Sequence, residues 1–271
     1  MVVLVTGCRS GFGLLLAEGA ARRGHVVYAG LRDPATDGAL RERTRGLDVR
    51  PIALDVTVPE QRQEAVARIL AEQGRVDALV NNAGIPLGGF LEEVGEDELR
   101  RVFETNFFAP WLLTRAVLPT MRAQGRGTIV MMSSRSGRSA FPALGTYASS
   151  KFALEGLSEA WRHELRPFGI DVYLVEPGPF KTDIWDRNRH VSKHAFQPGG
   201  PYERFEARID RTFRRVAAGA RDPQKVVDHT LDLLEKRRAP LRHSIGGIDQ
   251  HLFELLPFGV RERIVRTLVG S

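Results

Sequence analysis

The chain has one cysteine, Cys8, among its 271 residues, which excludes an intrachain disulfide. The place of Cys8 inside a glycine-rich turn marks it as a small packing residue rather than a reactive thiol. No uncharged apolar run approaches the roughly 20 residues of a membrane span, and the chain starts almost directly on a strand-like run rather than on a signal peptide. A soluble protein of the reducing cytoplasm, without an integral membrane segment, is the expectation. The sequence also lacks a basic tract. Its formal net charge is +6, but the arginines are scattered through helices and one loop without interleaved aromatics. Nucleic acid is therefore not an expected partner, and the charge reads as a solvated surface that favours anionic ligands. There is no internal repeat and no low-complexity linker.

What is present is an alternation. Short apolar runs at 2–5, 26–29, 49–54, 78–80, 128–132, 171–175 and, more weakly, 241–245 are separated by helix-length segments. Parallel strands need crossovers, so this order predicts an α/β domain with a doubly wound parallel sheet and helices on both faces. A hydrophobic fraction of 42% supports one large core, and 1–271 is expected to form a single domain. Two stretches depart from the pattern. Residues 96–124 read as a long helix broken or kinked near Pro110, which lacks a donor N–H. Residues 180–222, interrupted by Pro198-Gly199-Gly200-Pro201, follow the carboxyl end of a strand, where such sheets bind ligands, and are a candidate substrate lid. Residues 248–271 form a C-terminal tail.

The run Val2–Val5, the turn Thr6-Gly7-Cys8-Arg9-Ser10-Gly11-Phe12-Gly13 and the helical pattern after it read as strand, tight turn and helix. Glycines let the backbone approach a pyrophosphate closely, and the helix start offers free N–H groups and a positive dipole end. Downstream, Tyr147 and Lys151 lie four residues apart on one helix face. A unit charge at roughly 5 Å in an effective dielectric of about 20 contributes around 3 kcal/mol, or about two pKa units, enough to bring a phenol near ~10 within reach of neutral pH. Tyr147 is then a candidate general acid or base.

Cofactor choice is read from the end of the second strand, Gly30-Leu31-Arg32-Asp33. An NAD site needs a carboxylate for the adenosine ribose, whereas an NADP site needs a cation and rejects a carboxylate facing the 2′-phosphate. Leu31 takes the usual acid position and Arg32 follows it, so NADP(H) is expected, with Arg9 as a candidate second cation. NAD(H) remains the alternative if the strand ends later and Asp33 takes the ribose.

These motifs, together with Leu54-Asp55-Val56, Asn81-Asn82-Ala83-Gly84, Asn106, Ser134 and Pro177-Gly178, resemble the short-chain dehydrogenase/reductase family in order and spacing from residue 1 to about 180. The glycine turn looks like that of the branch containing retinol and 17β-hydroxysteroid dehydrogenases. The resemblance implies a Rossmann fold and a catalytic set of Asn106, Ser134, Tyr147 and Lys151. Ser134, thirteen residues before Tyr147, orients the substrate oxygen; Lys151 also binds the nicotinamide ribose; Asn106 holds a water that links Lys151 to solvent, or else stabilises the kink near Pro110. Asp55 would hold the adenine, or cap the helix after Pro59, and Val56 would add a backbone contact. Thr6, Asn82, Ala83 and Gly84 would line the cofactor path. Pro177, Gly178 and Thr182 would border the nicotinamide. The substrate wall is expected from Ile85, Leu87, Phe141, Leu144, Phe180, Ile184 and Trp185, which implies a hydrophobic ketone or aldehyde and its alcohol. Arg135, Arg187, Arg189, His190 and His194 leave an acidic acyl group open. A homodimer or homotetramer is expected through Trp111, Phe152 and Trp161, with Leu252–Leu268 joining the interface or touching a membrane surface. An NAD-dependent alcohol dehydrogenase and a non-catalytic NADP(H) sensor are the competing readings.

Overall fold

In the computed structural model, residues 1–182, 190–236, 238–246, 253 and 255–269 are described. Seven strands form one sheet in the order β3-β2-β1-β4-β5-β6-β7, every pairing parallel. They are β1 (Val2–Thr6), β2 (Val26–Leu31), β3 (Val49–Ala53), β4 (Ala78–Asn81), β5 (Gly127–Met132), β6 (Ile170–Pro177) and β7 (Arg242–Ile245). All seven apolar runs are strands. The central ones are buried on both faces, which is why they read as continuous apolar runs rather than as alternating ones.

Six helices cross over between strands or flank them: α1 (Gly11–Arg22), α2 (Gly38–Arg43), α3 (Pro59–Gln73), α4 (Glu96–Phe103), α5 (Ala109–Gln124) and α6 (Gly145–Leu165). Two cores result, one on each face of the sheet. One gathers Leu4, Leu79, Leu113, Met131 and Leu174 with α3, α5 and α6. The other gathers Val5, Leu16, Val80, Tyr173 and Phe180 with α1 and, later in the chain, α8 (Gln224–Glu235). The strand order reverses direction between β1 and β4, the crevice where open α/β sheets bind ligands.

The kink expected near Pro110 is a single π-helical turn, Glu104–Phe108, between α4 and α5, with Pro110 in the first turn of α5. A proline there forfeits no bond that an ordinary helix start would make, and the register shift is absorbed upstream in the wider turn. Residues 180–221 leave the sheet and return to it. Their ends are zipped by a bridge between Phe180 and Arg221, with Lys181 N–H donating to the Arg221 carbonyl at 2.8 Å. Within this excursion lies α7 (Glu203–Ala218), and after β7 comes α9 (Phe258–Val269), which packs against α7. A small apolar cluster of Ala143, Phe90, Phe196, Phe205, Ile209, Phe213 and Val265 ties these pieces to the sheet domain, with Phe90 stacked on Tyr202 at 4.1 Å between ring centres.

Trp161 is 7% exposed and belongs to the core under α6, so it is not available to a partner subunit as the sequence had suggested. The position falls on the sheet-facing stripe of a 21-residue helix, a distinction that periodicity alone blurs. Phe152 is 45% exposed, whereas Trp111 is partly buried and carries Arg115 over its ring. Among the described residues, no helix is long and apolar enough to cross a membrane.

Candidate active site

One cavity of about 1210 Å³ lies over the carboxyl ends of the strands. Its floor is the glycine turn. Gly7 and Gly11 have φ of +72° and +57°, the left-handed region. A Cβ on Gly13 would stand 2.2 Å from the Gly7 carbonyl oxygen and 2.6 Å from Asn82 Nδ2, so the turn closes only with glycine there. The N-terminus of α1 opens on the cavity beside Arg9, Ser10 and Phe12. The turn is a backbone cradle that a side chain would fill, at the positive end of a helix. Cys8 sits beneath it, buried, its thiol donating to the Val5 carbonyl, and burial pushes its pKa far up, as expected of a packing residue.

The tips of β1 and β4 are interlocked by side chains. The Thr6 hydroxyl accepts from the N–H groups of Asn82 and Ala83 at 2.9 Å, while Asn82 Nδ2 donates back to the Thr6 carbonyl at 2.8 Å. Thr6 and Gly13 therefore shape the cradle from behind rather than line it. Asn81, one residue earlier, donates to Thr114 inside the core. Asp55 lines the cavity and accepts from Thr57 N–H and hydroxyl in a tight turn; it does not cap α3, whose first-turn N–H groups take no bond from it. Val56 lines the cavity as well.

At the end of β2, Leu31, Arg32 and Asp33 all border the cavity. The strand runs two residues past the apolar run 26–29 to Leu31, the position read as that of the ribose acid, and the Leu31 side chain is 1% exposed in the core. Arg32 is exposed. The Asp33 carboxylate accepts from Ala35 N–H at 2.9 Å and caps a short turn, Pro34–Thr36. The acid is thus engaged by the backbone that follows it.

On the opposite wall, α6 presents Tyr147 and Lys151 to the cavity beside Ser134. Lys151 Nζ lies 5.8 Å from the centre of the Tyr147 ring and donates to the Met132 carbonyl at 2.8 Å. Ser134 stands beside Tyr147, and its hydroxyl accepts from Ser136 N–H at 3.1 Å. The Tyr147 pKa is not lowered as its spacing from Lys151 had predicted. Burial pushes the phenol up, Ser134 opposes this, and the same burial pushes Lys151 down to about 8. The pairwise attraction was counted in the sequence argument; the desolvation of both groups, which depends on the whole fold, was not.

Asn106 sits in the π turn and is fully buried. Its side chain clamps the Ile85 backbone, accepting from Ile85 N–H and donating to Ile85 carbonyl, both at 2.9 Å, and it donates to Ser150 at 3.0 Å. Its side chain therefore ties the loop after β4 to α6 instead of bracing the kink. A Cβ at Gly84 would be 3.3 Å from Asn106 Oδ1 and 3.6 Å from Lys151 Nζ, which places both groups around one point at the cavity edge.

Pro177, Gly178, Phe180 and Thr182 line the cavity, with Phe12 edge-on to Phe180 at 6.0 Å. Ile85, Phe141 and Leu144 join the wall near Tyr147, set there by Ala143, a buried residue held at φ +62° whose carbonyl accepts from Gly89 N–H. Leu87 does not join them; it is 1% exposed and buried behind the loop. Arg135 and His190 border the cavity, whereas His194 is outside it. Ile184, Trp185, Arg187 and Arg189 lie outside the described residues. The sequence reading missed Arg101 and Thr105 of α4 and its π turn, Thr212, Phe213 and Val216 of α7, and Phe253 and Ile264 of the C-terminal tail, all of which border the cavity. The tail expected at an interface or a membrane thus contributes two side chains to the pocket. A period-3.6 apolar stripe was visible in each helix, but not which cavity it would face.

Residues 1–193 match the family described as short chain dehydrogenase. The chain belongs to that family. It is 36% identical over 255 residues to a 3-ketodihydrosphingosine reductase of Bacteroides thetaiotaomicron, covering 93% of this chain and 90% of that protein. It is 35% identical to the human 17-beta-hydroxysteroid dehydrogenase type 1, over 89% of this chain and 76% of the relative. The crystal structure of a short-chain dehydrogenase from Streptomyces avermitilis superposes with a TM-score of 0.81 at 37% identity, covering 99% of this chain and 94% of the other. Two further solved members were captured with cofactor: one from Burkholderia phymatum with NAD (30% identity, TM-score 0.76, 89% and 88% covered) and a metagenomic one with NADP (26%, 0.72, 90% and 96%). This short-chain dehydrogenase is accordingly an oxidoreductase that works between an alcohol and a carbonyl with a nicotinamide cofactor.

Proposed function

We propose that this chain is an NADP(H)-dependent oxidoreductase for a hydrophobic ketone or aldehyde and its alcohol, with Tyr147 as the group that gives or takes the proton. The observation that carries the reading is the convergence of Tyr147, Ser134 and Lys151 on one wall of a cavity whose other wall is a glycine cradle. When bound, the nicotinamide supplies the hydride, and its oxidised form adds a positive charge beside Tyr147.

The protein's own groups do the rest. The Ser134 hydroxyl donates to the substrate oxygen and holds it against the Tyr147 hydroxyl. Tyr147 protonates that oxygen during reduction and accepts the proton during oxidation. Lys151 holds the nicotinamide-ribose hydroxyls and contributes its charge to Tyr147. Asn106 fixes the Ile85 loop against α6, the role its clamp supports best. Arg32, with Arg9 nearby, meets the 2′-phosphate, and the capping of Asp33 supports NADP(H) over NAD(H). Gly7, Ser10, Gly11 and Phe12 form the pyrophosphate cradle, shaped from behind by Thr6 and Gly13, and Asp55, Val56, Asn82, Ala83, Gly84, Pro177, Gly178 and Thr182 complete the cofactor wall. Helix α7, within the excursion after β6, covers the substrate, and the apolar wall of Ile85, Phe141, Leu144, Phe180, Phe213, Val216, Phe253 and Ile264 suits an apolar body on the carbonyl.

A panel of carbonyl compounds assayed with NADPH and with NADH, followed by the loss of cofactor absorbance, tests the reading. Turnover of apolar ketones or aldehydes with NADPH preferred supports it. Turnover with NADH preferred would favour the NAD-dependent alternative, and tight NADPH binding without turnover across the panel would favour a sensor.

A further inference from the structure

Behind the Tyr147–Lys151 pair lies a partly buried ionic cluster, with Glu155 and Glu176 as its buried members, that the proposed reaction does not use. Glu155 stands one turn beyond Lys151 on the same stripe of α6 and is 4% exposed. Arg242, from the edge strand β7, donates through Nε to Glu155 Oε2 at 3.1 Å and through its other nitrogen to Glu159 at 2.8 Å, and it lies 3.7 Å from Glu176. Glu176, on β6, is fully buried; it accepts from Arg138 at 3.5 Å and from the Ser244 hydroxyl. The Ser133 hydroxyl, at the end of β5, faces Glu155 as well. These groups, with Lys151 itself, are the charged and titratable neighbours of Glu155 on the elements packed against it.

Stability alone gives little reason for a carboxylate at position 155. A buried ionic cluster rarely holds a fold better than apolar packing of the same volume. Docking of β7 is already served by the Ser244–Glu176 hydrogen bond and by the four-pair ladder that joins β7 to β6. What Glu155 adds is a negative charge one turn from a lysine that is itself buried and held against the Met132 carbonyl, a neutral acceptor.

We propose that Glu155, steered by Arg242, is a positioning residue that holds the Lys151 ammonium in its charged form behind Tyr147. The catalytic value of this rests on the reading of Lys151 given above; the electrostatic link itself does not. Consistent with it, burial brings Lys151 down to about 8 while the Glu155 carboxylate acts in the opposite direction, and burial lifts Glu155 to about 7, with Glu176 adding to that rise and Ser133 and Arg242 resisting it. Both charged forms then coexist close to neutral pH.

The chain has five lysines, so selective labelling with lysine carbon-13 at Cε gives a resolvable NMR titration, with the Lys151 signal assigned by its loss in Lys151→Arg. In the full-length protein the Lys151 midpoint is expected to fall by about one pH unit in Glu155→Gln and by less in Glu155→Asp. The pH profile of turnover should move in parallel. An unmoved Lys151 midpoint in a folded Glu155→Gln protein overturns the inference, even if that variant melts at a lower temperature, because a merely structural role changes stability without moving the titration. A midpoint that moves while the turnover profile stays fixed also overturns it as a positioning role. Should Glu155→Gln fail to fold, Arg242→Lys serves the same test, with a smaller fall expected and an unmoved midpoint counting against the proposal. Failure of the functional reading is separate: it shows as absence of turnover in the wild type, with the NMR titration unaffected.

Discussion

The two walls of the cavity are built from different material. The wall proposed for the cofactor is mostly backbone: glycines in left-handed conformation and the start of α1, held from behind by the interlock of Thr6 with Asn82 and Ala83. The wall proposed for the substrate is made of side chains from elements far apart in the chain, namely Phe141 and Leu144 before α6, Phe213 and Val216 on α7, and Phe253 and Ile264 near the C-terminus. A surface of backbone recognises what every dinucleotide shares and tolerates no added atom. A surface of apolar side chains recognises shape loosely and tolerates substitution.

That contrast can be broken most sharply where the walls meet. Tyr147→Phe removes the hydroxyl proposed as the proton donor while leaving the ring, so turnover should fall by roughly two or more orders of magnitude with NADPH affinity nearly unchanged; steady-state kinetics and cofactor fluorescence read the two separately. Comparable turnover would remove Tyr147 from its role.

The one side chain given a deciding role on the cofactor wall is Arg32. Loss of a charge-assisted contact worth about 1.5–3 kcal/mol predicts a roughly ten- to hundredfold rise in the KM for NADPH in Arg32→Ala, with NADH little altered. Leu31→Asp should turn the preference towards NADH. If Asp33→Ala harms NADH use more than Arg32→Ala harms NADPH use, Asp33 is the ribose acid.

Backbone intolerance is tested at Gly13, where an added methyl meets the Gly7 carbonyl oxygen at 2.2 Å. Gly13→Ala should cost about 1–3 kcal/mol in thermal stability or the equivalent in cofactor affinity, whichever the turn yields first. Gly156, with open space around its missing Cβ and an α-helical backbone, is the control; Gly156→Ala should be neutral or stabilising, by up to about 1 kcal/mol. The smallest effects belong to the substrate wall. Phe213→Ala is expected to raise KM several-fold for the bulkiest apolar substrates and hardly at all for small ones, since a truncated wall loses contact only with a ligand that reaches it. An equal effect on small and large substrates would place the ligand elsewhere in the cavity.

The same division explains what was legible beforehand. The glycine turn, the place of Leu31 near the tip of β2 and the helical spacing of Tyr147 and Lys151 are local: each is fixed by neighbours within a few residues, so spacing suffices. Leu87 and Trp161 were misplaced because an apolar side chain at a loop or on a helix looks alike whether it faces a cavity, a partner or the core. Arg101, Phe213 and Ile264 were missed because their helices carry no motif.

By itself, the sequence determined the parallel α/β sheet and the glycine turn at its switch point, and it singled out the residues proposed above as the active set, since these follow from backbone geometry and short-range spacing. Only the tertiary structure decided the electrostatics and the walls. Burial raised the Tyr147 phenol and lowered Lys151 against the attraction expected from their spacing, Asn106 became a clamp between Ile85 and Ser150, and α7 and the tail closed over the cavity. Desolvation and long-range packing depend on every group enclosing a site, and that enclosure exists only once the chain has folded.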